Sequence, residues 1–269
     1  MITSNSNSHI KAVRKLAESK MRSQTGNFLA EGLRVVGQAF DSGAEILELI
    51  ISPELLISDY GKDIVLTAAI DKTNPIPITE VSADVFVSLA RKDKPQGIAA
   101  VIRQSWKEIT GFNNLESGIL VALESVQNPG NLGTILRTCD AVGAQGAILL
   151  DNSTDPYDPA AVKASMGSIF TVPVVRANLE QLEQLQRDNP KFVFVGSSDK
   201  AQTDFFESDY PDPIVLMLGS EREGLSEGYA KLCQTMVSIP MLGACDSLNL
   251  SVAAGILLYQ IYYHHKRNQ

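Results

Sequence analysis

Apolar residues recur at two different periods along the chain. Between His9 and about Met21, Ile10, Val13 and Leu16 fall three apart, which predicts a helix with one apolar face. The stretch F-L-A-E-G-L-R-V-V-G-Q-A-F (28–40) predicts a second helix starting near Glu31. Shorter units follow. They are a strand over 45–52, an edge-like strand over 75–81 limited by its prolines, a helix over 83–90 and a buried strand over 97–102. Together they predict a small α/β domain spanning 1–105, after which the polar stretch R-Q-S-W-K-E-I-T-G-F-N-N-L-E-S-G interrupts the pattern and reads as a linker over 106–117.

From residue 118 the pattern becomes regular. Strands are predicted at 119–124, 147–151, 171–175, 192–196, 213–219 and 236–239. Helices are predicted at 131–142, 159–167 and 179–187, and a long one at about 247–264. The strands are near-continuously apolar and alternate with helices, the signature of a parallel sheet covered on both faces. The fold class is therefore α/β, with a parallel-sheet domain over 118–269. No apolar run approaches the length that crosses a bilayer, and the amino terminus lacks the apolar core of a signal peptide, so a cytoplasmic protein is expected. Cys139, Cys233 and Cys245 lie far apart without a C-x-x-C, and only three histidines could join them, so no metal site is expected. Cys139 and Cys233 sit in apolar helical patterns and read as buried free thiols.

Charge changes the picture when it is divided along the chain. The net charge of −8 belongs to the second part: residues 1–105 carry 12 basic and 12 acidic side chains, and 106–269 carry 11 and 19. Within the first 25 residues Lys11, Arg14, Lys15, Lys20 and Arg22 face only Glu18, and Arg91, Lys92 and Lys94 form a second basic cluster. These local patches are where a polyanion would bind; a solvated helix face and a charged turn are the plain alternative.

In open parallel sheets, ligands sit beyond the carboxyl ends of the strands. Three segments there carry unusual chemistry: N-P-G-N-L-G-T-I-L-R-T (128–138), L-G-S-E-R-E-G-L (218–225), and S-I-P-M (238–241) leading to D-S-L-N-L-S-V-A-A-G (246–255). Gly130, Gly133 and Asp151 approach a dinucleotide-binding fingerprint, but the central glycine of G-x-G-x-x-G is missing. There is no G-K-S/T of a phosphate-binding loop and no G-x-S-x-G of a nucleophilic hydrolase.

Taken in order, the three segments resemble the SpoU/TrmH family of SPOUT methyltransferases, which transfer methyl from S-adenosyl-L-methionine to a ribose 2′-oxygen of RNA. The family's first motif is met by Asn131, Gly133 and Arg137, its second by Gly219, Glu221 and Gly224, and its third by Ser247, Leu248, Asn249, Ser251, Val252 and Ala253. The stretches 28–36 and 95–101 are similar, less sharply, to the family's amino-terminal RNA-binding domain. The resemblance implies a SPOUT domain with a deep trefoil knot, a homodimer, and S-adenosyl-L-methionine as cofactor. It implies an RNA partner, with large-subunit (23S) ribosomal RNA the expected substrate. Transfer RNA methylation and non-catalytic RNA binding on the same scaffold are the alternatives.

By this resemblance Arg137 is the catalytic residue. A 2′-hydroxyl is a poor nucleophile at neutral pH, and arginine rarely gives up its proton. Arg137 then either loses its proton with help from a substrate phosphate, or stays charged and stabilises the developing alkoxide. Asn131 and Asn249 can donate and accept hydrogen bonds, and with Glu221 and Ser247 they suit a network orienting Arg137 and the ribose. The simpler roles are helix caps for Asn131 and Ser247 and a turn charge for Glu221. Gly219, Ile239 and Leu248 are expected at the cofactor through backbone groups, with Met241 as apolar lining for adenine. Lys11, Arg14, Lys15, Arg91, Lys92 and Lys94 are expected to bind RNA through its shape and backbone.

Overall fold

The computed structural model describes residues 1–70, 75–90 and 94–267. The chain divides into two compact units, the first built from Met1–Ser105 with Asp155–Phe170 and the second from Trp106–Thr154 with Thr171–Gln269.

The first unit opens with α1 (Ser8–Lys15) and α2 (Ser19–Thr25), two helices where periodicity predicts one. The break has a local cause: Leu16, Ala17 and Glu18 close the first helix with backbone bonds to Val13, Arg14 and Lys15, and Glu18 is extended. Strand β1 (Asn27–Glu31) then occupies residues expected to lead into a helix. Its burial alternates, and Gly32, at φ 97°, turns the chain into α3 (Leu33–Asp41). Next come β2 (Ile46–Ile51), α4 (Asp59–Ile70), which the pattern does not predict, β3 (Ile78–Glu80), α5 (Ala83–Leu89) and β4 (Ile98–Arg103). The sheet order is β1-β4-β2-β3, with β4 antiparallel to both neighbours and β3 parallel to β2. Ile10 and Val13 of α1 and Leu16 just past its end bury against Val85, Phe86 and Leu89 of α5 and Ala99 and Val101 of β4.

The second unit carries eight parallel strands in the order β10-β12-β9-β11-β6-β7-β8-β5. In chain order these are β5 (Trp106–Lys107), β6 (Ile119–Glu124), β7 (Gly146–Leu150), β8 (Val174–Ala177), β9 (Val193–Ser197), β10 (Thr203–Asp204), β11 (Ile214–Leu218) and β12 (Thr235–Ser238). The stretch read as a linker contributes the edge strand β5 and a 3-10 turn over Ile109–Phe112, which buries Ile109 and Phe112. The unit's helices are α6 (Pro129–Ala141), α8 (Leu179–Asp188), α9 (Glu227–Ala230) and α10 (Leu250–Arg267), while α7 (Pro159–Ser165) belongs to the first unit. Every residue of β6 and of β11 is buried, as expected of central strands covered on both faces. Leu120, Ala122, Ile148, Leu150, Val215 and Met217 share a core with Leu182 and Leu185 of α8. Among the described residues, no helix is long and apolar enough to cross a membrane.

Segment 155–170 is held to the first unit by a buried cation. Arg22 is 1% exposed. It donates from Nε to Asp155 Oδ2 at 2.7 Å and from one terminal nitrogen to Asp158 Oδ2 at 3.4 Å. The other terminal nitrogen donates to the carbonyls of Leu16 and Ala17, at 3.1 and 2.8 Å. Each carboxylate uses its second oxygen locally: Asp155 accepts from Tyr157 N, and Asp158 accepts from Ala160 N as the N-cap of α7. Phe28 packs against Tyr157 with tilted rings and against Phe170 with stacked rings, with centroids at 4.8 and 6.1 Å.

Candidate functional site

The three polar segments leave the carboxyl ends of β6, β11 and β12. Helix α6 begins where Asn128 caps it, its Oδ1 accepting from Gly130 N and Asn131 N at 2.8 and 3.1 Å, with Pro129 at the first helical position. The cap is therefore Asn128, and the side chain of Asn131 is released for other work. The turn after β11 closes with a bridge between Ser220 and Gly224. A Cβ on Gly219 would stand 1.9 Å from the carbonyl carbon of Gly224, and Gly224 itself has φ 69°, so this turn admits only glycine at the first position and favours it at the second.

One directional hydrogen-bond chain joins all three segments. Asn131 Nδ2 donates to Glu221 Oε1 at 2.9 Å, and Asn249 Nδ2 donates to Asn131 Oδ1 at 3.1 Å. Asn249 Oδ1 in turn accepts from Ser251 N and Ser251 Oγ at 2.9 and 2.6 Å. A carboxylate can only accept, so it fixes which way both amides point. Residues 90 and 118 positions apart in the sequence thus meet, which turn charges and helix caps alone do not require.

Two expected members stand apart. Ser247 is exposed and, among the described residues, its hydroxyl reaches only the neighbouring Asp246, at 3.4 Å, so the residue that meets the start of α10 is Asn249. Arg137 is exposed on α6 and, among the described residues, makes no ion pair or side-chain hydrogen bond. At 3.6 residues per turn its six-residue offset turns it roughly 120° from Asn131 around the helix. Of the residues expected at the cofactor, Gly219 is buried, Ile239 and Met241 are half-buried and Leu248 is exposed, all in the loops that follow β11 and β12.

Sequence reasoning missed Glu124, the last residue of β6. It is 7% exposed, and its Oε2 accepts from Ser226 N at 2.8 Å, which ties the central strand to the loop bearing Glu221. The signal was an acidic residue ending an otherwise apolar strand. Buried Tyr229 lies beside it, its hydroxyl raised well above the ordinary phenol range by burial first, then by Asp151, then by Glu124. Burial likewise pushes the thiols of Cys139 and Cys233 up to about 12. Cys139 is in α6 as expected; Cys233 is only half-buried and lies past α9 rather than in a helix. Among the described residues no cluster of metal-binding side chains occurs.

Of the residues expected to bind RNA, Lys11 and Lys15 are exposed on α1, Arg14 is half-buried and Lys94 is exposed, while Arg91 and Lys92 lie outside the described residues. Arg22, counted with the basic amino-terminal patch, is spent inside the protein on Asp155 and Asp158.

A parallel sheet with these three motifs meeting at its carboxyl edge defines an RNA methylase scaffold. The chain belongs to the SpoU rRNA methylase family, whose model matches residues 118–259, and an MRM3-like substrate binding domain matches residues 7–100. It is 30% identical over 251 residues, 91% of this chain and 85% of the relative, to the 23S rRNA (uridine(2479)-2′-O)-methyltransferase of Streptomyces viridochromogenes. It is 28% identical to the 23S rRNA (guanosine(2553)-2′-O)-methyltransferase RlmP of Bacillus subtilis, over 97% of this chain and 98% of that one. Among solved structures it is similar to the AdoMet-bound rRNA methyltransferase from Sinorhizobium meliloti, with a TM-score of 0.88, 34% identity and coverage of 98% and 97% of the two chains.

Proposed function

We propose that this protein is an S-adenosylmethionine-dependent methyltransferase acting on a ribose 2′-hydroxyl of 23S ribosomal RNA. The observation that carries the reading is the Glu221–Asn131–Asn249–Ser251 chain, which joins the three family motifs into one rigid polar edge. The first unit selects the RNA, using Lys11, Arg14, Lys15 and the cluster at Lys94, and the second carries the chemistry. The relatives' shared substrate class supports ribosomal RNA, and with it a cytoplasmic site of action.

The residues present fit the cofactor. The glycine-only turn at Gly219 packs its backbone directly on that of Gly224 and puts no side chain into the loop, and Ile239, Met241 and Leu248 add apolar surface without charge, which suits an adenosine lacking phosphate. When bound, S-adenosylmethionine supplies an activated methyl on a sulfonium. The chain's own residues hold Asn131 and Asn249 rigid, Glu221 orients Asn131, and Ser247 lies in the loop flanking the ribose. The exposed guanidinium of Arg137 binds a substrate phosphate and stabilises the negative charge that develops on the 2′-oxygen as its proton passes to solvent water. We further propose that the segment after β12 threads the trefoil knot of the family and that the chain forms a homodimer. The dimer reading is supported by Val252, Tyr259 and Tyr263, which leave 49%, 43% and 55% of their surface exposed along one flank of α10.

The test is transfer of labelled methyl from S-adenosylmethionine to total RNA from a strain lacking this protein, with the modified nucleotide then mapped. Wild type is expected to label 23S RNA at one 2′-O position and Arg137→Ala to lose the label. Label in transfer RNA would redirect the substrate; binding of RNA without any transfer would leave a non-catalytic binding protein.

A further inference from the structure

The chain that leads from β6 into the first motif is fixed by a buried hydroxyl lying outside all three motifs. Strands β6 and β7 are neighbours, paired as far as Glu124 and Leu150. Immediately beyond, both chains turn through a left-handed residue that is not glycine, Ser125 at φ 53° and Asp151 at φ 51°. Such a conformation is disfavoured for a residue with a side chain and persists where its surroundings over-determine it. Here the surroundings are organised by Ser153, which is buried. Its Oγ lies 2.8 Å from the carbonyl oxygen of Leu150 and 2.9 Å from that of Leu123, and it accepts from Val126 N at 3.1 Å. Thr154 N donates to Val126 O at 2.7 Å, so both backbone polar groups of the fully buried Val126 are held by two consecutive residues of the loop after β7. On the outer side, Gln127 Nε2 donates to the carbonyls of Ser125 and Asn152, at 3.0 and 3.2 Å.

We propose that Ser153 is a positioning residue for methyl transfer, acting on turnover through Asn131. The inference rests on the reading of Asn131 as part of the methyl-transfer site. Two residues beyond Val126, Asn128 caps α6 by accepting from Gly130 N and Asn131 N, and the Asn131 amide then meets Glu221 and Asn249. The direction in which α6 sets out, and with it the place of that amide, follows from the hold on Val126. A hydroxyl suits the role because it donates and accepts at once: its single proton goes to one strand-end carbonyl while a lone pair takes the Val126 N–H. Removing it leaves a buried N–H and a buried carbonyl without this partner, and the left-handed turn at Ser125 loses its support. A displacement of about 1 Å at a site can cost on the order of a hundredfold in rate, so the effect falls on kcat. The loops expected at the cofactor follow β11 and β12, and among the described residues none of them bonds Ser153, so cofactor affinity is spared.

Full-length wild type and variants are compared in transfer of labelled methyl from S-adenosylmethionine to total RNA from a strain lacking this protein, with kcat and KM read separately. Calorimetry gives the Kd for S-adenosylmethionine, and amide exchange is followed along residues 126–132. Ser153→Ala is expected to lower kcat at least about tenfold, to speed exchange at Val126 and Asn131 about tenfold, and to leave the Kd within about twofold. Ser153→Thr, which keeps the hydroxyl, is expected to hold kcat within about threefold of wild type, and Ser153→Cys, a weaker donor and acceptor, to fall between the two. The control is Asn189, a second buried polar hub of the same sheet but at its amino edge: it accepts from Asn114 N at 2.9 Å and donates to Asn113 Oδ1 and Leu185 O at 3.2 and 2.8 Å. Asn189→Ala loosens the sheet away from α6 and is expected to keep kcat within about twofold. An unchanged kcat in Ser153→Ala, an equal fall in Asn189→Ala, or a Kd that rises in step with the fall in kcat would overturn the proposal. Should Ser153→Ala not fold, the other pair decides: kcat no higher in Ser153→Thr than in Ser153→Cys would overturn it as well. Transfer by wild type with an unaffected Ser153→Ala removes this inference alone, whereas no transfer by wild type removes the underlying reading too.

Discussion

Replacing Arg22 by methionine keeps most of the side-chain volume and removes the charge, which isolates what the guanidinium contributes. It would take away four hydrogen bonds, two to carboxylates and two to the carbonyls of Leu16 and Ala17, from a side chain that is 1% exposed. Breaking a buried ion pair from one side costs about 3–5 kcal/mol, because the abandoned partner stays desolvated. Here the partners retain 16% and 29% of their side-chain exposure and can recover water, so the lower end applies, about 3 kcal/mol. Two units make a single global unfolding transition ill defined, so the readout is local: amide hydrogen exchange along α7 and β1. A loss of about 3 kcal/mol speeds exchange there roughly 100-fold, while amides of β6 and β11 keep their rates. Arg22→Lys, which keeps a charge without the planar fork, is expected to fall between the two. Exchange across α7 within threefold of wild type in Arg22→Met would refute the claim that this cation holds segment 155–170.

Asn249→Asp removes the amide donor and sets a carboxylate against the Asn131 carbonyl. It should lower methyl-transfer kcat roughly ten- to a hundredfold, the range for an unsatisfied polar contact; activity within twofold would mean that the polar chain does not organise the site. Gly219→Ala drives a methyl group into the Gly224 carbonyl, and calorimetry should show S-adenosylmethionine affinity falling by at least about tenfold, about 1.4 kcal/mol. Thiols raised to about 12 hold only about one part in ten thousand as thiolate at pH 8, so a disulfide reagent should react quickly with exposed Cys245 alone. A second fast thiol in the native protein would contradict the desolvation of the Cys139 and Cys233 thiols. Tyr259→Glu with Tyr263→Glu places two charges on the exposed flank of α10, and sedimentation should show a dimeric wild type and a monomeric variant; unchanged mass would refute that interface.

What the sequence disclosed follows from where the information is stored. The central strands were legible because complete burial leaves an unbroken apolar run, as in 119–124 and 214–218. The motif loops were legible because their polar residues and glycines stand at fixed offsets. Strand β1 was not, since its five residues alternate between half-buried and buried and run directly into the apolar face of α3, so both periods fit the same letters. Edge strands β5 and β10, two residues each, carry no periodicity at all. The partners in the site were hidden for a different reason. Asn131 and Asn249 were identifiable as polar groups, but the bond between them spans 118 positions and exists only once the sheet order β12-β9-β11-β6 brings the carboxyl ends of β6, β11 and β12 to the same edge. Arg22 shows the limit of counting charge. In the sequence it belongs with Lys11, Arg14 and Lys15 as part of a basic patch. In the fold, two aspartates more than 130 positions away neutralise it. A composition count cannot separate a cation that faces solvent from one that closes a domain, because the difference lies in the long-range partner. Lys11, Lys15 and Lys163 stay exposed on α1 and α7, and the proposed RNA contact is better judged from such exposed cations than from the net charge of the first 25 residues.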